Sequence, residues 1–215
     1  MKNVDDLIAG AAELADRGLS KGEIADELNV SRETASWLVE RSGTTAPSPD
    51  PTDDARARPH DIHVDWSAIG RDSARLSFAG GAMADLLSKQ GEDVDLTIGI
   101  EKAGAPLATT VARELDTDLG AYAPRKHQWD DGDIEDLESG GTFSRNFAAI
   151  RERDCYVVDD TITSGTTMRE TVEAIREEGG EPVAACVLVD KQGLEDVAGV
   201  PVYSLLQVLR VGEGQ

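Results

Sequence analysis

The chain has 215 residues, 40% of them hydrophobic, enough for one sizeable core and a small second domain. Acidic residues number 42 against 21 lysines and arginines, a formal net charge of −21. No apolar run approaches the roughly 20 residues of a membrane helix, and "MKNVDDLIAG" has neither a basic start nor a long apolar stretch. The pattern argues against a membrane protein and a secretory signal, and the expectation is a cytoplasmic protein with no membrane partner.

The acid is spread along the chain, only six lysines occur, and Asp outnumbers Glu. At ordinary ionic strength such self-repulsion works against the compact state. Above about 1 M salt the Debye length falls to about 3 Å and the repulsion is screened. The composition therefore implies a salt-loving host. Cys155 and Cys186 both sit inside apolar runs and are expected as reduced, buried thiols.

Residues 1–42 read as helical. Leu7, Ile8, Ala11, Leu14 and Ala15 keep the spacing of one helix face. "RGLS" breaks that helix. Ser20 and Glu23 have the spacing of a capping box for a second helix, "KGEIADEL". Asn29 and Val30 make a tight turn, and Ser31 caps a third helix, "RETASWLVERS". The expected core is Ile24, Ala25, Leu28, Val30, Ala35, Leu38 and Val39.

The stretch "KGEIADELNVSRETASWLV" resembles a helix-turn-helix. That resemblance implies double-stranded DNA as a partner. Ser31, Arg32, Glu33, Thr34, Ser36 and Trp37 would lie on or near the exposed face of the third helix. Arg32 and Thr34 would reach base edges and Ser31 a phosphate. Trp37 would stack on sugar-phosphate or pack against the following segment. A helical hairpin used only for dimerisation is the alternative.

Residues 1–42 hold nine acids and five bases, an unusual balance for a DNA-binding unit. Counterion release gives little in concentrated salt. At a slope of about −0.9 per phosphate contact, about six contacts lose roughly a million-fold between about 0.15 and about 2 M. Base contacts and two-fold avidity would have to carry affinity there, so a missing basic patch weighs little.

Residues 43–62, "GTTAPSPDPTDDARARPHDI", carry four prolines and read as a linker or extended arm. His60 and His63 have no partners at metal-ligand spacing, so no zinc site is expected. Residues 63–215 alternate helical segments with short β-rich runs. Trp66 and Met83 read as ordinary packing residues ahead of the first strand.

A strand is expected at Leu96–Ile100, then the turn "EKAGAP", then a helix in which Leu107, Val111 and Leu115 repeat every four residues. Pro106 suits the first turn of that helix. "LGAYAP" is a second strand and Cys155–Asp159 a third. A helix from Gly165 to Glu178 follows, then the runs "VAACVLVD" and "VPVYSLL". This is the order of a doubly wound fold, whose ligand crevice lies at the carboxyl ends of its strands.

Asp159 and Asp160 emerge at such an end. Carboxylates repel phosphate but accept hydrogen bonds from vicinal hydroxyls. Thr161, Thr163, Ser164, Gly165, Thr166 and Thr167 then offer backbone N–H groups, hydroxyls and a helix N-terminus, an anion cradle. A diol acceptor beside a phosphate cradle describes a ribose 5-phosphate.

"CYVVDDTITSGTTM" resembles the phosphoribosyl pyrophosphate signature of type I phosphoribosyltransferases. "GIEKAGAPLA" looks like that family's pyrophosphate loop, which implicates Lys102, Ala103 and Gly104. "APRKHQ" matches the segment where orotate phosphoribosyltransferases place basic residues, here Arg125 and Lys126. "SGGTFSRNF" looks like the end of the mobile hood loop. The resemblance covers roughly residues 70–190. It implies an α/β fold, a parallel sheet with helices on both faces, preceded by the small all-α unit. No cofactor is required on this reading, although Mg²⁺ would accompany a diphosphate ligand.

The departure from the family is informative. In orotate phosphoribosyltransferases the mobile loop adds bases that neutralise departing pyrophosphate. Here Asp130 to Glu138 carries six acids and no base. Such charges near the leaving group would raise the barrier by several kcal/mol, unless they face solvent as halophilic decoration. His127 would replace only part of the missing charge. The whole layout resembles haloarchaeal regulators of sugar catabolism once grouped with orotate phosphoribosyltransferases. That likeness implies a non-catalytic, homodimeric or larger DNA-binding regulator that answers to a phosphorylated small-molecule effector. An active orotate phosphoribosyltransferase is the rival expectation.

Overall fold

The computed structural model describes residues 4–19, 21–28, 30, 32–43, 64–91, 93–125 and 141–208. They fall into two compact units, one built on the N-terminal helices and one on residues 64–124 and 141–208, with Arg125 grouped with the first.

The first unit contains α1 (Val4–Asp16), α2 (Lys21–Leu28) and α3 (Arg32–Ser42). The seven residues expected in its core are all buried, together with Leu7, Ala11, Leu14 and Ala15. Ala25 and Ala35 are among the small buried residues of this core, which suits close helix approach. The backbone N–H of Val30 donates to Ala25 O at 2.9 Å and closes the α2–α3 turn. The expected caps and turn residue, Ser20, Ser31 and Asn29, lie outside the described residues, as does the Glu23 side chain.

The second unit opens with α4 (Ser67–Gly70) and α5 (Ser73–Ser88). Asp72 caps α5 by accepting the Arg75 N–H at 3.0 Å, a contact worth about 1 kcal/mol. There follow β1 (Leu96–Ile100), α6 (Gly104–Leu115), β2 (Asp118–Ala123), β3 (Thr142–Phe143) and β4 (Asp154–Ile162). The chain continues with α7 (Thr166–Glu177), β5 (Glu181–Asp190), β6 (Asp196–Val197) and β7 (Val200–Gln207).

The sheet runs β3-β2-β1-β4-β5-β7-β6. Its five central strands are parallel and the two-residue edges, β3 and β6, are antiparallel. Side chains alternate between faces along each strand. Leu96, Ile98, Ile100, Cys155 and Val157 join Met168, Val172 and Ile175 of α7 in one cluster. Tyr156, Val158, Cys186 and Leu188 join α5 and α6 in the other. The sheet is therefore covered on both faces, as expected.

Two expected boundaries move. The third strand was expected to end at Asp159, but β4 continues to Ile162 because β5 keeps pairing with it: Thr161 faces Val189 and Ile162 faces Asp190. The following helix starts at Thr166, one residue late, because Gly165 has φ +77° and cannot be helical. It ends at Glu177, one residue early. Both cysteines are free and buried, and burial pushes each thiol up to about 12.

A prediction concerns the helical unit. Leu38 is 1% exposed, and truncating a buried leucine costs about 2–5 kcal/mol. In so small a unit that is most of its stability. Leu38→Ala is expected to melt α1–α3 while the sheet persists. Hydrogen exchange in molar KCl, read unit by unit, checks it.

Candidate functional site: a crevice where the strand order reverses

From β1 the chain steps through α6 to β2 on one side, and the next long strand, β4, lies on the other side of β1. The carboxyl ends of β1 and β4 thus flank a topological switch point, where adjacent loops diverge and leave a crevice. Registered pairing of β1 with β4 ends at Gly99 and Val158. Asp159 is the first β4 residue beyond it. On the β1 side the acid pair does emerge at a strand end, although on the β5 side it lies inside a longer ladder.

The turn after β1 is Glu101–Ala103. Glu101 N–H donates to Tyr122 O at 2.8 Å, which ties it to β2. Lys102 is exposed, Ala103 half-buried, and Gly104 buried as the first residue of α6. A Cβ on Gly104 would sit 2.6 Å from Val158 O and 2.9 Å from Asp159 Oδ1. The absence of a side chain there is what lets the start of α6 lie against the acid pair.

The two carboxylates are engaged differently, and both residues are half-buried. Asp159 Oδ1 accepts the Asp160 N–H at 2.8 Å. Asp160 Oδ2 accepts the Trp66 indole N–H at 3.0 Å and the Thr161 hydroxyl at 3.3 Å. Trp66 is therefore more than the packing residue expected from its position in the sequence.

Thr163, Ser164 and Gly165 bend the chain into α7. The hydroxyls of Ser164 and Thr166 lie 2.9 Å apart, and Thr166 N–H reaches Ser164 Oγ only at 3.4 Å. No side chain caps α7. Its first-turn N–H groups and the positive end of its dipole face the loop, an arrangement suited to an anion. Thr161, Thr163, Ser164, Thr166 and Thr167 are half-buried and Gly165 is buried. The structure thus gathers Asp159 to Thr167 and Ala103 to Gly104 at one crevice.

Two supports were not foreseen. Asp190, 2% exposed, accepts the N–H groups of Gln192, Gly193 and Leu194 at 2.8, 2.9 and 2.9 Å. Leu194 and Val197 then lie directly against Gly165. Glu170, in the first turns of α7, accepts the Tyr122 hydroxyl at 2.9 Å and the Gly141 N–H at 3.2 Å. Burial first, then the Glu170 charge, raises the Tyr122 phenol far above its ordinary range. A lone Tyr or Glu carries no sequence signal for such a pairing across 48 residues.

Other expected site residues follow β2, lie on α3 or fall outside the described residues. Arg125 directly follows Pro124 and is grouped with the first unit, and Lys126 lies outside the described residues. So do His127 and the acidic run 130–138. On α3, Thr34, Ser36 and Trp37 are half-buried, while Ser31 and the side chains of Arg32 and Glu33 lie outside the description. Trp37 packs on the helical core, with the Arg41 guanidinium 5.4 Å above its ring. Among the described residues, no helix is long and apolar enough to cross a membrane.

The anion cradle gives a prediction. A side chain at φ +77° costs about 1–2 kcal/mol. Gly165→Ala is expected to lower the melting temperature and to remove stabilisation by inorganic phosphate, both read by thermal shift in molar KCl.

Residues 65–208 match the phosphoribosyl transferase domain family model. The fold is similar to orotate phosphoribosyltransferase from Aeropyrum pernix, at TM-score 0.54 and 22% identity over 69% of this chain and 80% of that one. It is equally similar to adenine phosphoribosyltransferase from Rhodothermus marinus, at TM-score 0.54 and 22% identity over 71% and 90%. Along nearly its whole length the chain is 75% identical to transcriptional regulator GfcR of Haloarcula marismortui, covering 99% of this chain and 98% of that protein. It is 68% identical to the protein of that name in Haloferax volcanii, covering 99% and 100%. It is 42% identical to the one in Methanosarcina mazei, covering 98% and 100%. A type I phosphoribosyltransferase sheet behind an N-terminal helical unit, matched end to end by these relatives, makes the chain a member of the GfcR family.

Proposed function

We propose that the chain is a DNA-binding transcription regulator whose second unit senses a phosphorylated sugar or a phosphoribosyl pyrophosphate-like metabolite. The observation that carries this reading is the half-buried acid pair at the switch point, followed at once by the α7 cradle. Carboxylates take the hydroxyls and the helix terminus takes the phosphate. The names of its relatives support the regulatory half, and three helices packed on one small core suit a helix-turn-helix. Its targets on this reading are promoters of glycolytic and related sugar-degradation genes.

Catalysis is lost in this proposal. The six acids between Asp130 and Glu138 replace the bases that would stabilise a leaving pyrophosphate. The working form is a homodimer whose two α3 helices enter successive major grooves about 34 Å apart. The effector acts only through different affinities for two arrangements of that dimer. No cofactor is needed. A diphosphate ligand would bring Mg²⁺, which takes one or two carboxylates together with ligand phosphates. Asp159 and Asp160 are of that kind, and among the described residues no group of three or more His, Cys, Asp or Glu forms a cage of its own.

Footprinting in molar KCl, with and without ribose 5-phosphate, tests the reading. The double change Asp159→Ala and Asp160→Ala is expected to keep the basal footprint and lose the response. A response that persists unchanged puts the sensing site elsewhere.

One observation favours a second reading, an active orotate phosphoribosyltransferase: acid pair, anion loop and β1–α6 turn still share one crevice. Incubation of orotate with phosphoribosyl pyrophosphate and Mg²⁺ in high-salt buffer is expected to give no turnover above background. Robust turnover would reverse the ranking.

A further inference from the structure

We propose that Trp66 is a positioning residue of the sugar site: it pins one oxygen of Asp160 so that the other is presented to a sugar hydroxyl. This rests on the sugar-phosphate reading above. The indole N–H donates to Asp160 Oδ2 at 3.0 Å, and the Thr161 hydroxyl adds a weaker bond at 3.3 Å to the same atom. An oxygen that accepts two donors has little capacity left. Among the described residues, Oδ1 of Asp160 carries no hydrogen bond. The acid is thus held by one edge and open at the other.

The indole is itself held. The short helix α4 starts directly after it, and the N–H groups of Ile69 and Gly70 donate to Trp66 O at 2.8 and 3.2 Å. A Cβ on Gly70 would lie 2.6 Å from Trp66 Cζ3, so Gly70 leaves the space that the six-membered ring fills. The rest of the ring packs against the apolar cluster under α5 and α6. Indole is a donor only, so it fixes a carboxylate and cannot compete as an acceptor for the sugar's hydroxyls. A bond to a charged acceptor is stronger than one between neutral groups. Without it, the half-buried carboxylate would turn about its own bond and meet the diol in several orientations.

The role makes a prediction that a packing role does not. Trp66 should matter for hydroxyl recognition and not for phosphate recognition, which belongs to the α7 cradle. Calorimetric titration of the full chain in molar KCl, with ribose 5-phosphate and separately with inorganic phosphate, reads the two apart. Trp66→Phe keeps an aromatic ring and removes the N–H. It is expected to weaken ribose 5-phosphate about tenfold, the scale of one hydrogen bond to a charged group, and to leave inorganic phosphate unchanged. Gly70→Ala, which pushes the indole out of place, is expected to do the same with Trp66 intact. Adding Trp66→Phe to Asp160→Asn should cost nothing further.

A wild-type preference for ribose 5-phosphate that survives in both variants overturns the proposal. So does an equal loss of both ligands, which is what a packing residue would give. If the wild type itself does not prefer ribose 5-phosphate to phosphate, the sugar-phosphate reading fails and takes this role with it. The wild-type titration alone identifies that case.

Discussion

The handedness of strand crossovers is the constraint on which the second unit depends. A parallel crossover is right-handed in nearly all proteins, because a twisted strand feeding a right-handed helix packs back on the sheet only that way. From β1 the chain moves one way to β2, and from β4 it moves the other way to β5. Right-handed steps in opposite directions put their helices on opposite faces, so α6 covers one side and α7 the other. The loops that lead into these helices part between β1 and β4. The crevice is a by-product of topology, and its polar groups come from the few residues the chain sets at its rim.

Aspartate is used in two opposite ways at that rim. Asp190 spends its acceptors inward on three backbone N–H groups and is almost fully buried. It braces the turn that supports Gly165. Asp160 is half-buried and held on one oxygen only. A buried carboxylate without donors is strongly disfavoured, so Asp190 needs its three donors where the half-buried Asp160 does not. At the far ends of the strands a third arrangement appears. Arg153 bridges Asp95 and Asp118 at 3.3 and 2.9 Å, with both carboxylates mostly exposed. Exposed pairs of this type contribute little each. An acid-rich surface is compatible with the fold because, among the described residues, most acids are exposed, where salt can screen them.

Much of the architecture was legible in the sequence because it rests on local patterns. The apolar spacing of residues 7–39 gave the helical core residue by residue. The run Leu96–Ile100 gave β1, and the acid pair with its hydroxyl loop pointed to the stretch that ends β4 and leads into α7. What escaped depends on partners distant in sequence. β4 overruns its apolar stretch because β5 continues beside it, and nothing in "DDTI" shows that. The two-residue edges β3 and β6 are too short for any periodicity. Trp66 stands 94 residues from Asp160 and looks, in sequence, like any other apolar residue ahead of a helix.

The antiparallel pairing of β2 with β3 has a further consequence. Tyr122 faces Phe143 with ring centroids 4.9 Å apart, Ala123 faces Thr142, and Glu170 joins Tyr122 of β2 and Gly141, the residue ahead of β3, to α7. The chain between Pro124 and Gly141 thus departs and returns through a clasp whose ends are fixed independently of what lies between them. Closing a loop over such a clasp is cheap, since doubling its length costs only about 0.6 kcal/mol. Evolution can rewrite that intervening stretch, in length or in sign of charge, without disturbing the sheet. A single sheet can in this way carry stretches of different character across the same clasp.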